Sequence, residues 1–262
     1  EEGRGWFNGY YDNSGRQVEG VIDGNVRMML TGQVFSIMGN VADDAQVKLI
    51  TESADKYLYK KDIGGYRLNT DFKEEKFDLG RMFGFAYGEK ENGAVFSHMT
   101  VMYANALYQR GFVREGYKAL YTLLGQAMDL EVSRMYPGIP EYFDAQGRGK
   151  YPYLTGAASW YMMTVVTQIY GFRGLWGDLM IEPKILLEQF DTEENFSAEI
   201  PYRGQTFSVV YQNPGRKEYG RYQIGEIWID GTLYKEANAK SVCIPFHEFE
   251  EQNTHTLRIV LK

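Results

Sequence analysis

The chain has 262 residues, 44% of them hydrophobic, enough to bury a sizeable core in one large or two modest domains and too apolar for a disordered polymer. Its net charge of −7, with Lys and Arg scattered along the chain, excludes a polyanion such as nucleic acid as the expected partner. No apolar run approaches the roughly 20 residues that cross a bilayer and no signal peptide is visible, so the expectation is a soluble, cytoplasmic protein.

One cysteine, Cys243, excludes an internal disulfide, and histidines scattered at 98, 247 and 255 offer no recognisable zinc site. Aromatic residues make up 15%, with 21 tyrosines. Most aromatics in any domain are core, but flat faces with polar edges also suit sugar rings. The chain does not start with Met, and Trp6-Phe7 with Tyr10-Tyr11 form an aromatic patch without a local partner, which reads as a piece of a longer polypeptide.

In chain order, residues 6 to 24 are Gly- and Asn-rich and read as a loop or short hairpin turning at Asp12-Asn13-Ser14-Gly15. The spacing predicts a helix from about Val26 to Gly39, its methionines serving as core filler. A second helix starts at a cap on Asp43 or Asp44 and runs to about Tyr59. Residues 60 to 87 form a long connection whose aromatics argue against disorder.

Helices over about 95 to 110 and 113 to 132 make an antiparallel pair around Arg110-Gly111-Phe112. A Pro- and Gly-rich loop covers 134 to 153 and holds Pro140-Glu141-Tyr142-Phe143, and a fifth helix runs over about 155 to 170. From Asp178 the period changes to two. Leu179 to Glu182, Ser197 to Pro201, Gln205 to Gln212, Tyr222 to Ile229, Lys240 to Pro245 and His255 to Leu261 read as strands, with Asp230-Gly231 the strongest hairpin turn. The fold class is therefore mainly α followed by β, with paired helices that suggest part of an α/α toroid and a β-sandwich at the end.

Two stretches concentrate chemistry. Gly88-Glu89-Lys90-Glu91-Asn92-Gly93-Ala94-Val95-Phe96-Ser97-His98 sets a cation, carboxylates, glycines and an imidazole at the mouth of an apolar helix expected to begin near Gly93 or Ala94. Helix N-termini attract anions. Tyr151-Pro152-Tyr153-Leu154-Thr155-Gly156-Ala157-Ala158-Ser159-Trp160 repeats that design. Taken singly, His98 could be a core histidine, Thr155 an ordinary helix cap and Glu91 a solvated charge.

With Gly177-Asp178-Leu179 and Ile181-Glu182-Pro183 added, these stretches resemble glycoside hydrolase family 94, the cellobiose-phosphorylase-like inverting glycoside phosphorylases. The resemblance implies cleavage of a β-linked glucoside by inorganic phosphate, giving α-glucose 1-phosphate and a shortened sugar. It implies no cofactor, phosphate being a co-substrate. It places residues 1–172 in the second half of an (α/α)6 barrel and 173–262 in a C-terminal β-sandwich. The upstream portion of the same protein would close the barrel, and a homodimer is one assembly open to the complete enzyme.

By the same resemblance His98, Thr155 and Gly156 hold phosphate, Lys90 and Glu91 contact the sugars flanking the scissile bond, and Tyr66 to Phe72 contributes to the acceptor side. Glu141 joins them from a Pro-Glu-Tyr that permutes the family's Glu-Pro-Tyr-like stretch. The general acid is an Asp expected upstream of residue 1, together with a phosphate-binding arginine. Between Glu1 and Gly88 only Asp12 and Asp71 are loop aspartates with aromatic neighbours, and neither has the family's context. Two rival readings stay open: an inverting hydrolase using Glu91 or Glu141 as base, and a noncatalytic carbohydrate-binding or assembly module.

Overall fold

The computed structural model of the chain describes residues 5–136, 138–152, 156–249 and 252–262. They fall into two compact units, Glu1–Met162 and Met163–Lys262. Helices dominate the first and strands the second.

The first unit opens with the expected turn, in which Asp12 Oδ1 accepts the N–H groups of Ser14 and Arg16 at 2.8 and 2.9 Å. A hairpin follows, β1 (Gly20–Ile22) against β2 (Asn25–Arg27), turning at Asp23-Gly24 with φ of 51° and 76°. Asp-Gly tolerates the paired positive φ that a tight hairpin needs. The helix expected from about Val26 therefore starts only at Leu30, as α1 (Leu30–Met38), because the backbone of Val26 and Arg27 pairs as strand. In α2 (Asp44–Tyr57) the sequence is obeyed closely. Asp43 accepts from Gln46 N–H while the Gln46 side chain accepts from Asp43 N–H, a reciprocal cap.

The 60–87 connection is ordered, in keeping with its aromatics. A short hairpin, β3 (Tyr59–Lys60) with β4 (Gly65–Tyr66), leads into a segment that threads the interior. Leu30 N–H and Thr70 N–H bond to Leu68 O and Met28 O at 2.8 and 3.0 Å, and Leu68 N–H to Ala94 O at 2.9 Å. Tyr66, Leu68, Asn69, Thr70 and Phe72 are all buried. The expectation that Tyr66 to Phe72 reaches an acceptor sugar is thus corrected for those five side chains, which serve the core.

A strand pair, not a helix turn, follows Ala94. β5 (Val95–Phe96) precedes α3 (Ser97–Gln109), so this helix begins three or four residues later than expected. Then come α4 (Val113–Met128) and α5 (Leu130–Ser133), a short turn in place of the end of one longer helix. Asp129 interrupts it, accepting from Val132 N–H as the cap of the new turn.

The loop over 134 to 153 contains β6 (Tyr142–Phe143) and β7 (Gly149–Lys150). Val95 pairs with Phe143, Phe96 with Tyr142, and Tyr142 with Lys150. Buried Asp144 closes the β6–β7 turn by accepting from Gln146 and Arg148 N–H groups. α6 (Gly156–Thr164) is continued by a π-helical turn over Val165–Ile169.

In the second unit, β8 (Phe172–Leu175) and β9 (Asp178–Ile181) form a hairpin, followed by β10 (Asn195–Tyr202), β11 (Gln205–Gln212), β12 (Ile224–Ile229), β13 (Thr232–Ala239), β14 (Val242–Ile244) and β15 (Thr254–Leu261). One sheet has the order β14-β9-β8 and the other β10-β11-β15-β12-β13, with β11 and β15 parallel. Alternation sets the buried face: Phe207, Val209 and Tyr211 on β11, and Leu257, Ile259 and Leu261 on β15. Phe172 bridges the sheets with its ring 5.3 Å from that of Phe207. Neither β8 nor β13 is among the expected strands. β13 is an edge with no buried residue, so it carries no apolar alternation to detect.

Candidate functional site

The turn over 88–92 is built from backbone constraints. Gly88 N–H donates to Asn92 O at 2.7 Å and Asn92 N–H to Glu89 O at 3.0 Å, which puts Lys90 in the left-handed region at φ 48°. Glu89 anchors the outside of the turn, accepting from the Tyr142 hydroxyl at 3.1 Å. The next residue, Gly93, has φ 77°, and a Cβ there would fall 2.1 Å from the Tyr87 ring, so only glycine fits.

Lys90 lies among aromatic rings. Its ammonium lies 4.8 Å from the centre of the Tyr151 ring and 5.3 Å from that of Phe85. A hydrogen bond with the Tyr151 hydroxyl, helped by attraction to Glu141, holds its pKa above the usual lysine value, so it stays a cation. Glu141 reaches the same place because its carbonyl caps α3, accepting from Ser97 N–H at 2.9 Å. The sheet β5-β6-β7 thus gathers Lys90, Glu141 and Tyr151.

Glu91 takes the other side of the turn. Its Oε1 meets exposed Arg81 at 3.5 Å, while Oε2 is buried with no hydrogen-bond partner among the described residues. A cleft of about 560 Å³ opens beside the turn, lined among others by Asp71, Glu75, Phe85, Tyr87 and Asn92.

His98, the second residue of α3, forms a separate group with Gly156 and Trp160. A Cβ on Gly156 would sit 2.7 Å from His98 Cε1 and 2.9 Å from Nδ1, so the first residue of α6 lies directly against the imidazole. Trp160, one turn into α6, places its ring 5.8 Å from that of His98. His98 Nε2 is buried and has no partner among the described residues. Burial pushes the imidazole below its ordinary pKa, leaving it neutral near pH 7. Neither α3 nor α6 carries an acidic residue in its first turn, and the N-cap of α3 makes no side-chain cap. Both helix starts therefore keep their positive ends.

The predicted residues thus fall into two groups, Lys90 with Glu141 beside Glu91, and His98 with Gly156, joined through β5. Thr155 lies outside the described residues. Asp12 is held by Arg16, through its backbone N–H and its guanidinium, which keeps the carboxyl below its usual pKa and makes it a poor proton donor. Sequence reading missed Asn69, which is fully buried and accepts from Gly93 N–H at 2.7 Å. It also missed Glu19, a buried carboxylate bridging the N–H groups of Gly9 and Met29 at 2.6 and 2.7 Å. Neither lies in a recognisable motif, and their partners are distant in sequence.

The catalytic-domain model of the glycosyl hydrolase 94 superfamily matches residues 2–171. The chain is similar to the cellobionic acid phosphorylase of Neurospora crassa, 24% identical over 207 residues, covering 73% of this chain and 25% of that protein. It is similar to the solabiose phosphorylase of Paenibacillus borealis at 23% over 234 residues, 86% of this chain and 29% of that one. It is also similar to the N,N'-diacetylchitobiose phosphorylase of Vibrio furnissii at 27% over 228 residues, 84% and 26% respectively. The chain spans less than a third of the length of these relatives.

Proposed function

The chain belongs to the glycosyl hydrolase 94 superfamily, and from that premise we propose that it is part of an inverting glycoside phosphorylase acting on β-linked gluco-oligosaccharides with inorganic phosphate. Residues 1–172 would form the second half of an (α/α)6 barrel and 173–262 a C-terminal β-sandwich, with the barrel closed by an upstream portion of the same protein. The observation that carries the reading is a pair of buried polar atoms without partners among the described residues, His98 Nε2 and Glu91 Oε2, at positions assigned to phosphate and to sugar. A buried polar atom left unpaired costs free energy that a ligand would recover.

In this reading His98 hydrogen-bonds a phosphate oxygen through Nε2, the Gly156 N–H donates from the positive end of α6, and the Thr155 hydroxyl completes the cradle. Lys90, Glu91 and Glu141 engage sugar hydroxyls, with the aromatic faces of Phe85 and Tyr87 beside them. A phosphate oxygen forms the new bond to the anomeric carbon from the face opposite the glycosidic oxygen. As that C–O bond breaks, a carboxylic acid gives its proton to the departing oxygen. Phosphate is already an anion, so no base is needed. This chain supplies the phosphate and sugar contacts. The acid and a phosphate-binding arginine are assigned upstream of residue 1, and the isolated chain is expected to be inactive.

The test joins the chain to its natural upstream half and incubates it with β-linked glucobioses and longer oligomers, with and without phosphate. Glucose 1-phosphate formed only with phosphate supports the reading and names the linkage by the substrate consumed. Free glucose without phosphate replaces it with a hydrolase whose base is Glu91 or Glu141. No product from a folded protein leaves a carbohydrate-binding module.

A further inference from the structure

We propose that Asn69 is the positioning residue that holds the Lys90–Glu91 turn in its sugar-binding shape, acting through Asn92 and Gly93 without touching ligand. The inference rests on the sugar-contact reading of Lys90 and Glu91 given above. Asn69 has no exposed surface. Its Oδ1 accepts from Gly93 N–H at 2.7 Å, and its Nδ2 donates to Asn92 Oδ1 and to Thr70 O, both at 3.0 Å. Asn92 passes the constraint on, its Nδ2 donating to Phe85 O at 2.7 Å. One side chain therefore ties down both residues that close the turn and, through Asn92, the aromatic segment lining the adjacent cleft.

The anchor is itself rigid. Thr70 N–H bonds to Met28 O and Leu68 N–H to Ala94 O, so the backbone on either side of Asn69 is pinned between α1's approach and the start of β5. Lys90 sits in left-handed backbone, which persists only where its surroundings enforce it. His98 and Gly156 make none of these bonds. Loss of Asn69 should therefore loosen the sugar contacts and spare the phosphate contacts.

The test joins the chain to its natural upstream half, as above, and compares that protein with its Asn69→Ala and Asn92→Ala variants, titrating each with glucose, cellobiose and inorganic phosphate. Sugar binding is followed through the amide resonances of Lys90 and Glu91, and phosphate binding through Trp160 fluorescence. Amide exchange at Gly93 reports the turn itself. The expected result is faster exchange at Gly93 in Asn69→Ala, a loss of sugar affinity of about tenfold or more in both variants, and phosphate affinity unchanged within about twofold. Asn69→Asp keeps an acceptor for Gly93 N–H and should retain its protection, and half-buried Asn92 keeps the test open if Asn69→Ala does not fold. Equal losses for sugar and phosphate, or unchanged sugar affinity with Gly93 exposed to exchange, overturn the inference and leave the proposed function standing. No sugar binding by the unsubstituted joined protein overturns both.

Discussion

Gly156 and His98 are in such close contact that a methyl group on the glycine would lie 2.7 Å from the imidazole Cε1. In the middle of a helix alanine is worth roughly 0.5–1 kcal/mol over glycine, but Gly156 is the first residue of α6, so little of that gain offsets the contact. Gly156→Ala should therefore fold with stability little changed while displacing His98 from the mouth of α6. Phosphate affinity should drop by about tenfold, a loss of roughly 1.4 kcal/mol. Phosphate titration alongside thermal unfolding separates the two effects, and a variant binding phosphate as well as the parent chain would count against the cradle.

The buried imidazole of His98 sets a pH dependence of stability. Its folded pKa lies below the ordinary 6.5, because burial disfavours the charged form. The unfolded chain therefore takes up a proton first as pH falls. This part of the stability is fully present above about pH 6.5 and is lost as the pH drops toward the lower folded value. Urea unfolding from pH 7.5 to 5 should show the decline, and His98→Gln should flatten that portion of the curve.

Glu19 runs the opposite way. Burial pushes its carboxyl from 4.5 up to about 7, against the lowering influence of the Met29 and Gly9 N–H groups. The folded state holds its proton more tightly than the unfolded one. Its contribution is thus complete below about pH 4.5 and disappears as pH rises through about 7, at most roughly 3 kcal/mol. Unfolding midpoints of the parent chain should fall between pH 5 and 8. Glu19→Gln, which loses one of the two acceptors, should start lower at pH 5 and stay level, and a parallel slope in both would refute the assignment.

In the second unit, the buried hydroxyl of Tyr222 accepts from Ile185 N–H at 2.8 Å and donates toward Ile185 O and Pro183 O at 3.0 and 3.3 Å. Tyr222→Phe leaves the Ile185 N–H without this acceptor in the interior. The expected cost is about 1–3 kcal/mol, read by denaturant unfolding. Trp228→Phe, whose indole N–H serves a partly exposed Glu226, should cost less than half of that.

What the sequence determined by itself is whatever depends on near neighbours. The Asp43 cap, the Asp230-Gly231 turn with φ of 49° and 81°, the change from helical to alternating period, and the glycine that opens α6 were all legible, because each is written within one or two turns of chain. Tertiary structure decided what depends on partners far along the chain. Pairing with Phe143 and Tyr142 delayed the start of α3 and brought Glu141 to Lys90. The bond from Gly93 to Asn69 crosses 24 positions, and no local pattern marks a lone asparagine as the post behind a turn. Burial decided the rest. The same stretch of tyrosine, leucine and phenylalanine from Tyr66 to Phe72 could have lined a sugar site, but hydrogen bonds on both of its edges draw it inside. The packing of His98 against Gly156 and Trp160, which leaves its Nε2 buried without a partner among the described residues, is specified by no spacing in the sequence.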